Sequence, residues 1–319
     1  MPLPMQATPP AVVAPAPSLK EAETDLLEAF DLGQPLPPMP SLAGKAALPY
    51  RWLRSAATFD PSQTLPASPF PAGRARQETE TLRRLLKASK GHLPAALKAQ
   101  PLHESGTALA LWRWGQVQVR TGAFDAALRR TWEDRLLAAG PDLTRGYALR
   151  HALCWALAER DEARFASLKA RPLEGAEEVL AGFQRLFGLL GGPPPVLRLW
   201  GLPGLTYRDL HLDQLGASRV WVRPAEAGVL PALPADTAWI IPSASGSLGE
   251  RDASLSGTSL AEGQALAERF RAEGRTAQFA PSQSAFIEIG LSWFPILLVM
   301  DEKGMIRSVR MGDAAPDRP

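Results

Sequence analysis

The sequence predicts a mixed α and α/β protein, in which a helical region precedes an α/β region and a proline-rich arm precedes both. Three observations predict this order. Of the 31 prolines, 15 lie before residue 75. Proline is then sparse up to residue 190, while alanine, leucine, arginine and glutamate are frequent, as in helices. From residue 196 onward, short β-rich runs alternate with a helical pattern, which is typical of an α/β domain.

The arm is assigned to residues 1–72 and is expected to be mostly disordered or extended, because proline lacks a backbone donor and restricts the preceding residue. Two islands interrupt it. A capping box at residues 18–21 opens a short helix, which is either a partner-binding motif or a helix packed on its own protein. The apolar face of that helix consists of Leu26, Leu27 and Phe30. The second island, which we expect to dock on the body, consists of Tyr50, Trp52 and Leu53.

The helical domain is assigned to residues 73–192. Breaks at glycine and proline separate its helices. Helices are expected near residues 76–90, 93–99, 106–121, 124–139, 143–158, 161–169 and 174–190. The run Gly-Gly-Pro-Pro-Pro at residues 191–195 then ends the helical structure and predicts a domain boundary.

One stretch of this domain, LWRWGQVQVRTGAFDAALRRTWEDRLLAAGPD, resembles a tetratricopeptide repeat. The residues that carry the resemblance are Gly115, Gly122, Phe124 and Ala127, with Pro141 closing the unit. The small residues let two antiparallel helices approach closely, and the aromatic ring fills the groove between them. A degenerate second copy follows, so the region is either a short repeat array or a generic stack of helical hairpins. Such an array implies a peptide-binding face, whereas a generic stack implies packing or dimerisation.

Four tryptophans of the helical domain allow a ligand-cage interpretation, but their helical context favours core packing. They are Trp112, Trp114, Trp132 and Trp155. Cys154 stands beside the last of them in an apolar helix, which is typical of a buried and inert cysteine.

The α/β domain is assigned to residues 193–319. Its strand-like runs are VLRLW, SRVWV, TAWII and ILLVM. A capping box at residues 259–262 predicts a helix that ends at Gly274. We expect strands near 219–223, 237–242, 296–301 and 305–310 to form one sheet, the last two as a hairpin, with helix 259–273 on its face.

The C-terminal stretch SWFPILLVMDEKGMIRSVRMGD resembles the proline–strand–Asp-x-x-Gly–strand–Gly signature of TlpA-type thioredoxin-like disulfide reductases and related redoxins. In this chain the signature falls on Pro295, Asp301, Gly304 and Gly312. Upstream, LTYRDLHLDQLGASRVWV resembles the hairpin and first core strand of that family. The resemblance implies a thioredoxin-like α/β domain after the tetratricopeptide-like one. It also implies that Pro295 is preceded by a cis peptide bond.

The redox motif of that family is absent from the expected position, which reads Arg223-Pro224-Ala225-Glu226. Thioredoxin chemistry requires a nucleophilic thiolate and a resolving thiol, and Cys154 is the only cysteine. Against the pattern of that family, we expect the first helix to be eroded here and the final helix to be missing. The resemblance still implies a shared surface that can pair with an extended peptide. That binding surface consists of Arg223, Pro224, Glu226, Phe294 and Pro295.

These observations predict a non-catalytic protein-binding or scaffold protein whose partners are protein or peptide segments. The alternative is a redoxin-family thiol-disulfide oxidoreductase that uses Cys154 or a thiol of a partner. We expect no catalytic residue, no cofactor and no metal, since the four histidines lack the spacing of metal ligands. The other interpretation of the thioredoxin-like domain is a decayed fold without any ligand.

Charge and hydropathy exclude several classes of protein. The 35 basic and 33 acidic residues are interspersed, which gives no electrostatic case for nucleic acid as a partner. No apolar run approaches the roughly 20 residues of a membrane helix. The N-terminus lacks the basic region of a signal peptide, so the sequence predicts a cytoplasmic protein, or a periplasmic one if the start site is wrong.

Overall fold

The computed structural model describes residues 31, 48–57, 64–89, 102, 105–171, 173–201, 206–223, 230, 232–242, 260–280 and 296–312. The helices are α1 Leu48–Ala57, α2 Arg74–Ser89, α3 Ser105–Arg120, α4 Ala126–Ala139, α5 Asp142–Glu159, α6 Glu162–Lys169, α7 Glu177–Leu189 and α8 Leu260–Ala272. The strands are β1 Val196–Gly201, β2 Thr206–His211, β3 Arg219–Val222, β4 Thr237–Pro242, β5 Ala277–Ala280, β6 Ile296–Met300 and β7 Ile306–Met311. A mixed α and β architecture is therefore confirmed.

Local signals in the sequence set the ends of the central helices. The side chain of Asp125 caps α4 by accepting from the N–H of Leu128 at 2.8 Å, and Asp161 caps α6 by accepting from the N–H of Arg164. Both carboxylates satisfy a backbone donor that the first helical turn leaves free. The helices predicted from residue 76 to residue 190 are confirmed, except that the one predicted at 93–99 lies outside the described residues.

The close approach of α3 and α4 depends on Gly115, as the sequence predicted. A Cβ atom at this position would overlap the indole ring of Trp132. Phe124 fills the space beside that ring, with its centroid 6.0 Å from Trp132 and 5.4 Å from Trp114. Gly122 has a different role from the one predicted: its φ of +70° serves the turn between the helices, and no atom stands near its missing Cβ.

Part of the predicted arm belongs to the folded body. Residues 48–57 form α1, whose Trp52 and Leu53 are buried, so the predicted docking of this island is confirmed for these two side chains. The indole N–H of Trp52 donates to the carbonyl of Pro66 at 2.9 Å, and Leu65 and Phe70 join the same core. Burial of these apolar side chains outweighs the local effect of proline. The N-terminal helix predicted around Leu26 lies outside the described residues, apart from the helical Asp31.

Five strands form one mixed sheet in the order β5-β4-β3-β6-β7. Strands β3, β4 and β5 run parallel, β6 is antiparallel to β3, and β7 returns antiparallel to β6. The prediction of four strands in one sheet, ending in a hairpin, is therefore confirmed, and so is the packing of α8 on the sheet. The edge strand β5 was not predicted. Strands β1 and β2 form a separate antiparallel hairpin.

The sheet is apolar on both faces, and each face has its own cover. Trp221, Trp239 and Ile241 point to the face that packs on Phe270 of α8. The alternate residues, among them Val220 and Val309, belong to a core that is continuous with the helical region, and α5 packs against β7. Alternation of buried side chains on both faces is what a sheet covered on two sides requires.

The predicted boundary at residue 192 therefore does not separate two independent cores. The chain does leave the helical structure there, because α7 ends at Leu189. The linker nevertheless pairs with the sheet, since the N–H of Gly191 donates to the carbonyl of Ile306 and the N–H of Ile306 donates to the carbonyl of Gly192, both at 2.8 Å. One continuous core and two backbone hydrogen bonds join the regions.

Among the residues that the structure describes, no helix combines the length and the apolar content needed to cross a membrane.

Candidate functional site

Arg223 is the one residue of the predicted binding surface that the structure describes. It follows β3, and its N–H donates to the carbonyl of Ile240 at 3.1 Å. In the sheet, Val222 at the end of β3 is aligned with Ile296 at the start of β6. These two strand ends are therefore neighbours. The other residues of the surface, and the cis bond predicted at Pro295, lie outside the described residues. They are Pro224, Glu226, Phe294 and Pro295.

Side chains on β4 and after α8 fix both ends of the connection between β3 and β4. At its start, the indole N–H of Trp239 donates to the carbonyl of Arg223 at 3.1 Å. Near its end, the guanidinium of Arg275 donates to the carbonyls of Leu233 and Pro234 and lies over the ring of Phe270. Its described residues, 230 and 232–236, are not helical. The connection therefore starts and ends at fixed positions on the sheet.

The Asp-x-x-Gly turn lies at the opposite end of β3. The carboxylate of Asp301 accepts from the N–H groups of Lys303 and Met305, at 2.9 and 3.0 Å. Gly304 follows with a φ of +74°, which favours glycine. The N–H of Met300 donates to the carbonyl of Ser218, which places this turn beside the start of β3. The aspartate and the glycine of the sequence signature thus build the β6–β7 turn.

Cys154, the one thiol of the chain, is buried in α5 with 7% of its surface exposed. It belongs to the core that the helices share with the sheet. A reactive cysteine needs access to its substrate and an environment that stabilises the thiolate. Burial inside a helical core supplies no access, which agrees with the sequence-based interpretation of this cysteine as inert.

A buried pair formed by a histidine and a glutamate lies in the helical region, and no sequence pattern predicted it. The Nδ1 atom of His151 lies 2.8 Å from a carboxylate oxygen of Glu133, and the indole N–H of Trp155 donates to Nε2 at 3.2 Å. Because Nε2 accepts that bond, the proton of a neutral ring is on Nδ1 and is donated to Glu133. The rings of Trp112 and Trp132 stand edge-on to the imidazole. With 6% of His151 exposed, this pair stabilises the core and has no access to a substrate.

Ion pairs join α4, α5 and α6 around this centre. Glu159 accepts from Arg129 and Arg130, both at 2.7 Å, and Glu133 lies 3.3 Å from Arg164. The guanidinium of Arg129 also lies over the ring of Trp155, 4.0 Å from its centroid. Burial alone would raise the pKa of Glu159, but the hydrogen bonds from the two arginines outweigh it and hold the pKa below its ordinary value. The network fixes the packing of three helices.

A second buried ion pair ties the N-terminal region to α3. The guanidinium of Arg113 donates to both carboxylate oxygens of Asp31, at 2.9 and 2.8 Å. The indole N–H of Trp112 donates to the backbone carbonyl of Asp31 at 3.1 Å. Both charged side chains are less than 10% exposed. Eighty-two positions separate the partners, and no local pattern connects residues so distant in sequence.

Comparison with known proteins gives no relative from which a function can be transferred. No protein-family model matches the chain, and neither a curated protein nor a solved structure matches it. Among the described residues, no group of three or more histidine, cysteine, aspartate or glutamate side chains is arranged to hold a metal ion.

Proposed function

We propose that this protein is a non-catalytic binding or scaffold protein, built on a thioredoxin-like domain that lacks redox cysteines and carries a tetratricopeptide-like helical region. The elements on which the resemblance rests support the proposal. Strands β3, β4, β6 and β7 lie in one sheet, β6 and β7 form its hairpin, and α8 packs on one face. Asp301 and Gly304 build the turn of that hairpin.

The location of the only thiol carries the non-catalytic part of the proposal. Arg223 follows β3 at the position that the resemblance gives to the first thiol, whereas Cys154 is buried in α5. Dithiol exchange needs a nucleophile and a resolving thiol at one accessible place. What remains at the end of β3 is a surface suited to pairing with an extended peptide, and its proposed residues are Arg223, Pro224, Glu226, Phe294 and Pro295.

The helical region supports a scaffold role because it supplies a cover for the sheet. The resemblance implies that the first helix of the thioredoxin-like domain is eroded. A sheet with two apolar faces must bury both of them, and the face opposite α8 shares its core with the helical region. We therefore regard the helical region as part of the same folding unit and not as a separable module.

The first experiment restores the missing thiols in the full chain. In a Cys154→Ser background, Arg223→Cys and Glu226→Cys are introduced together. If the resemblance holds, the two thiols form a disulfide under mild oxidant, and the variant reduces insulin in the presence of dithiothreitol faster than dithiothreitol alone. The wild-type chain and Cys154→Ser should give only the background rate, because neither has a resolving thiol.

A matched control has the same spacing on a strand. Arg307→Cys with Arg310→Cys places two thiols three residues apart on β7, where an extended backbone separates their Cα atoms by about 10 Å. That distance exceeds the limit of about 7 Å for a disulfide. Insulin reduction by the wild-type chain would contradict the non-catalytic proposal. Failure of the 223/226 pair to close would contradict the thioredoxin-like assignment.

The second experiment tests binding at the end of β3. A photo-crosslinking amino acid replaces Arg223 in one variant and Lys303 in the other, which puts the probes at opposite ends of the sheet. A set of synthetic extended peptides is then irradiated with each variant. Crosslinking at residue 223 that is absent at residue 303 supports a peptide surface there. Equal crosslinking at both ends, or none at either, would contradict it.

A further inference from the structure

A cavity of about 390 Å3 lies between the first turns of α5 and the turn that leads into α7. Cavities of about 300–1,000 Å3 are typical of ligand sites. The residues that form its walls include Leu143, Gly146, Tyr147, Leu173, Gly175 and Val179. Leu143 is 60% exposed, more than any other large apolar side chain that the structure describes. The ring of Tyr147 is stacked on Trp112, with 5.8 Å between centroids, so this wall is held in place by the core.

Gly146 lines this cavity, and the fold does not require a glycine at its position. It stands inside the 18-residue helix α5, where glycine costs about 1 kcal/mol relative to alanine. A Cβ atom there would meet no heavy atom of the protein within 4 Å, and the backbone is not in the left-handed region. Gly115 differs, because Trp132 occupies the space of its Cβ. The missing side chain of Gly146 enlarges the cavity and allows close approach of a ligand to the helix.

Carboxylates predominate around the opening. Asp142 and Glu174 line the cavity, and Glu177 and Glu178 stand in the chain between the lining residues Ala176 and Val179. Two arginines oppose these four carboxylates: Arg150 in the wall, and Arg145, which lies 3.3 Å from Asp142. An apolar cavity with an acidic rim is complementary to an apolar side chain that has basic neighbours.

From this combination we infer that the α5–α7 cavity is a docking site for an amphipathic, lysine- or arginine-rich segment of a partner protein, with one apolar side chain inserted above Gly146. The site is distinct from the surface at the end of β3, and the inference rests on the proposed function only in that both take protein segments. The N-terminal stretch SLKEAETDLLEAFDLG is a poor occupant, because it carries five carboxylates and a single lysine.

Two fluorescein-labelled 12-residue peptides test the inference on the full chain. They share one apolar face of leucine and alanine, and their polar face is lysine in one peptide and glutamate in the other. Fluorescence anisotropy at low salt should show binding of the lysine peptide and at least tenfold weaker binding of the glutamate peptide. Methyl NMR should show shifts of Leu143, Leu173 and Val179 on addition of the lysine peptide.

Gly146→Leu puts a side chain into the cavity from a Cβ position that meets no heavy atom within 4 Å. It should weaken binding of the lysine peptide at least tenfold, with no loss of thermal stability. Gly188→Leu is the matched control, since it also lies inside a helix with open space at its Cβ, and it should bind like wild type. Leu143→Ser and Glu174→Lys should each weaken binding about threefold or more. These two variants test the site independently of how Gly146→Leu folds.

Unchanged binding in Gly146→Leu and Leu143→Ser would overturn the inference, as would equal affinity for the two peptides. Sedimentation velocity tests the other possible occupant, a second copy of this chain. A dimer of the wild-type chain that Gly146→Leu dissociates would assign the cavity to a second copy and overturn the basic partner. None of these outcomes depends on residues 223–226. If the cavity does not bind the lysine peptide, the proposed function is still tested separately by the experiments at those residues.

Discussion

The helical region and the sheet region are stabilised in different ways. Hydrogen bonds and ion pairs connect buried side chains of the helical region. Glu133 contacts His151 and Arg164, and the indole N–H of Trp132 donates to the carbonyl of Leu111. The strands instead bury almost wholly apolar side chains, such as Val220, Ile240 and Leu298, each at most 2% exposed. Helices that pack at many angles need specific side-chain geometry to fix one arrangement, whereas a sheet is already fixed by its backbone ladder.

The largest effect is expected from separating the two regions. Because their cores are continuous, a chain cut after residue 195 leaves an apolar face of the sheet and the matching helix faces in water. We expect fragments 1–195 and 196–319 not to fold alone, and the full chain to unfold in one transition that circular dichroism and tryptophan fluorescence report at the same temperature. A folded 1–195 fragment with the melting temperature of the full chain would show that the regions are independent.

The second largest loss of stability is expected from breaking a buried ion pair of the helical region. Arg113→Met removes the partner of the buried carboxylate of Asp31 and should lower the free energy of unfolding by about 3–5 kcal/mol, since an unpaired buried charge is strongly unfavourable. Urea denaturation measures the loss. The control Arg145→Met breaks an exposed pair and should cost less than about 1 kcal/mol. Adding Asp31→Leu to Arg113→Met should restore part of the loss, and a lack of recovery would contradict the charge explanation.

A pair of glycines then contrasts two positions that both lie inside helices. Gly115→Ala forces a methyl group into the ring of Trp132 and should cost about 1–3 kcal/mol. Gly146→Ala meets nothing and should raise the free energy of unfolding by about 0.5–1 kcal/mol, because alanine is the better helix former. Thermal melts of the two variants check the opposite signs. A gain in stability for Gly115→Ala would show that the packing there is looser than described, and a loss for Gly146→Ala would show that its Cβ position is not open.

The smallest effect concerns pH. The pKa of Glu159 is held below its ordinary value of 4.5, so its pairs contribute stability above about pH 4.5 and lose it as the pH falls through the lowered pKa. Glu159→Gln should therefore be about 1 kcal/mol less stable than wild type at pH 7, and the difference should shrink in acid. Urea titrations at several pH values measure it, with Glu302→Gln in the exposed turn as the control. A difference that persists at pH 3 would point to packing instead of charge.

Local patterns were sufficient to predict most elements, and the exceptions have physical causes. Apolar runs and capping residues predicted α2 to α8 and four strands of the sheet, because these signals act within a few residues. Strand β5 was not predicted, because its sequence AQFA contains no β-branched residue. Helix α1 was assigned to the arm because local proline content favours extended chain, whereas contacts of Trp52 with residues far along the chain stabilise a helix.

The candidate site also contains features that the sequence predicted and features that only the structure shows. The sequence alone placed Arg223 at the end of a strand and Cys154 in an apolar helix, and it showed that the chain has one thiol. The cavity beside Gly146 was not predicted, because the tetratricopeptide-like spacing marks Gly115 and no pattern marks Gly146. The difference depends on which side chain another helix brings to each position.

The sequence by itself determined the order of the elements, the absence of a cysteine pair and the balance of charge, because these depend on residue identity and on neighbours a few positions away. Only the tertiary structure decided that the helices and the sheet share one core, that Asp31 meets Arg113, and that α5 and α7 leave a cavity between them. Those features arise from contacts between residues far apart in sequence, where geometry, and not local preference, selects the partner.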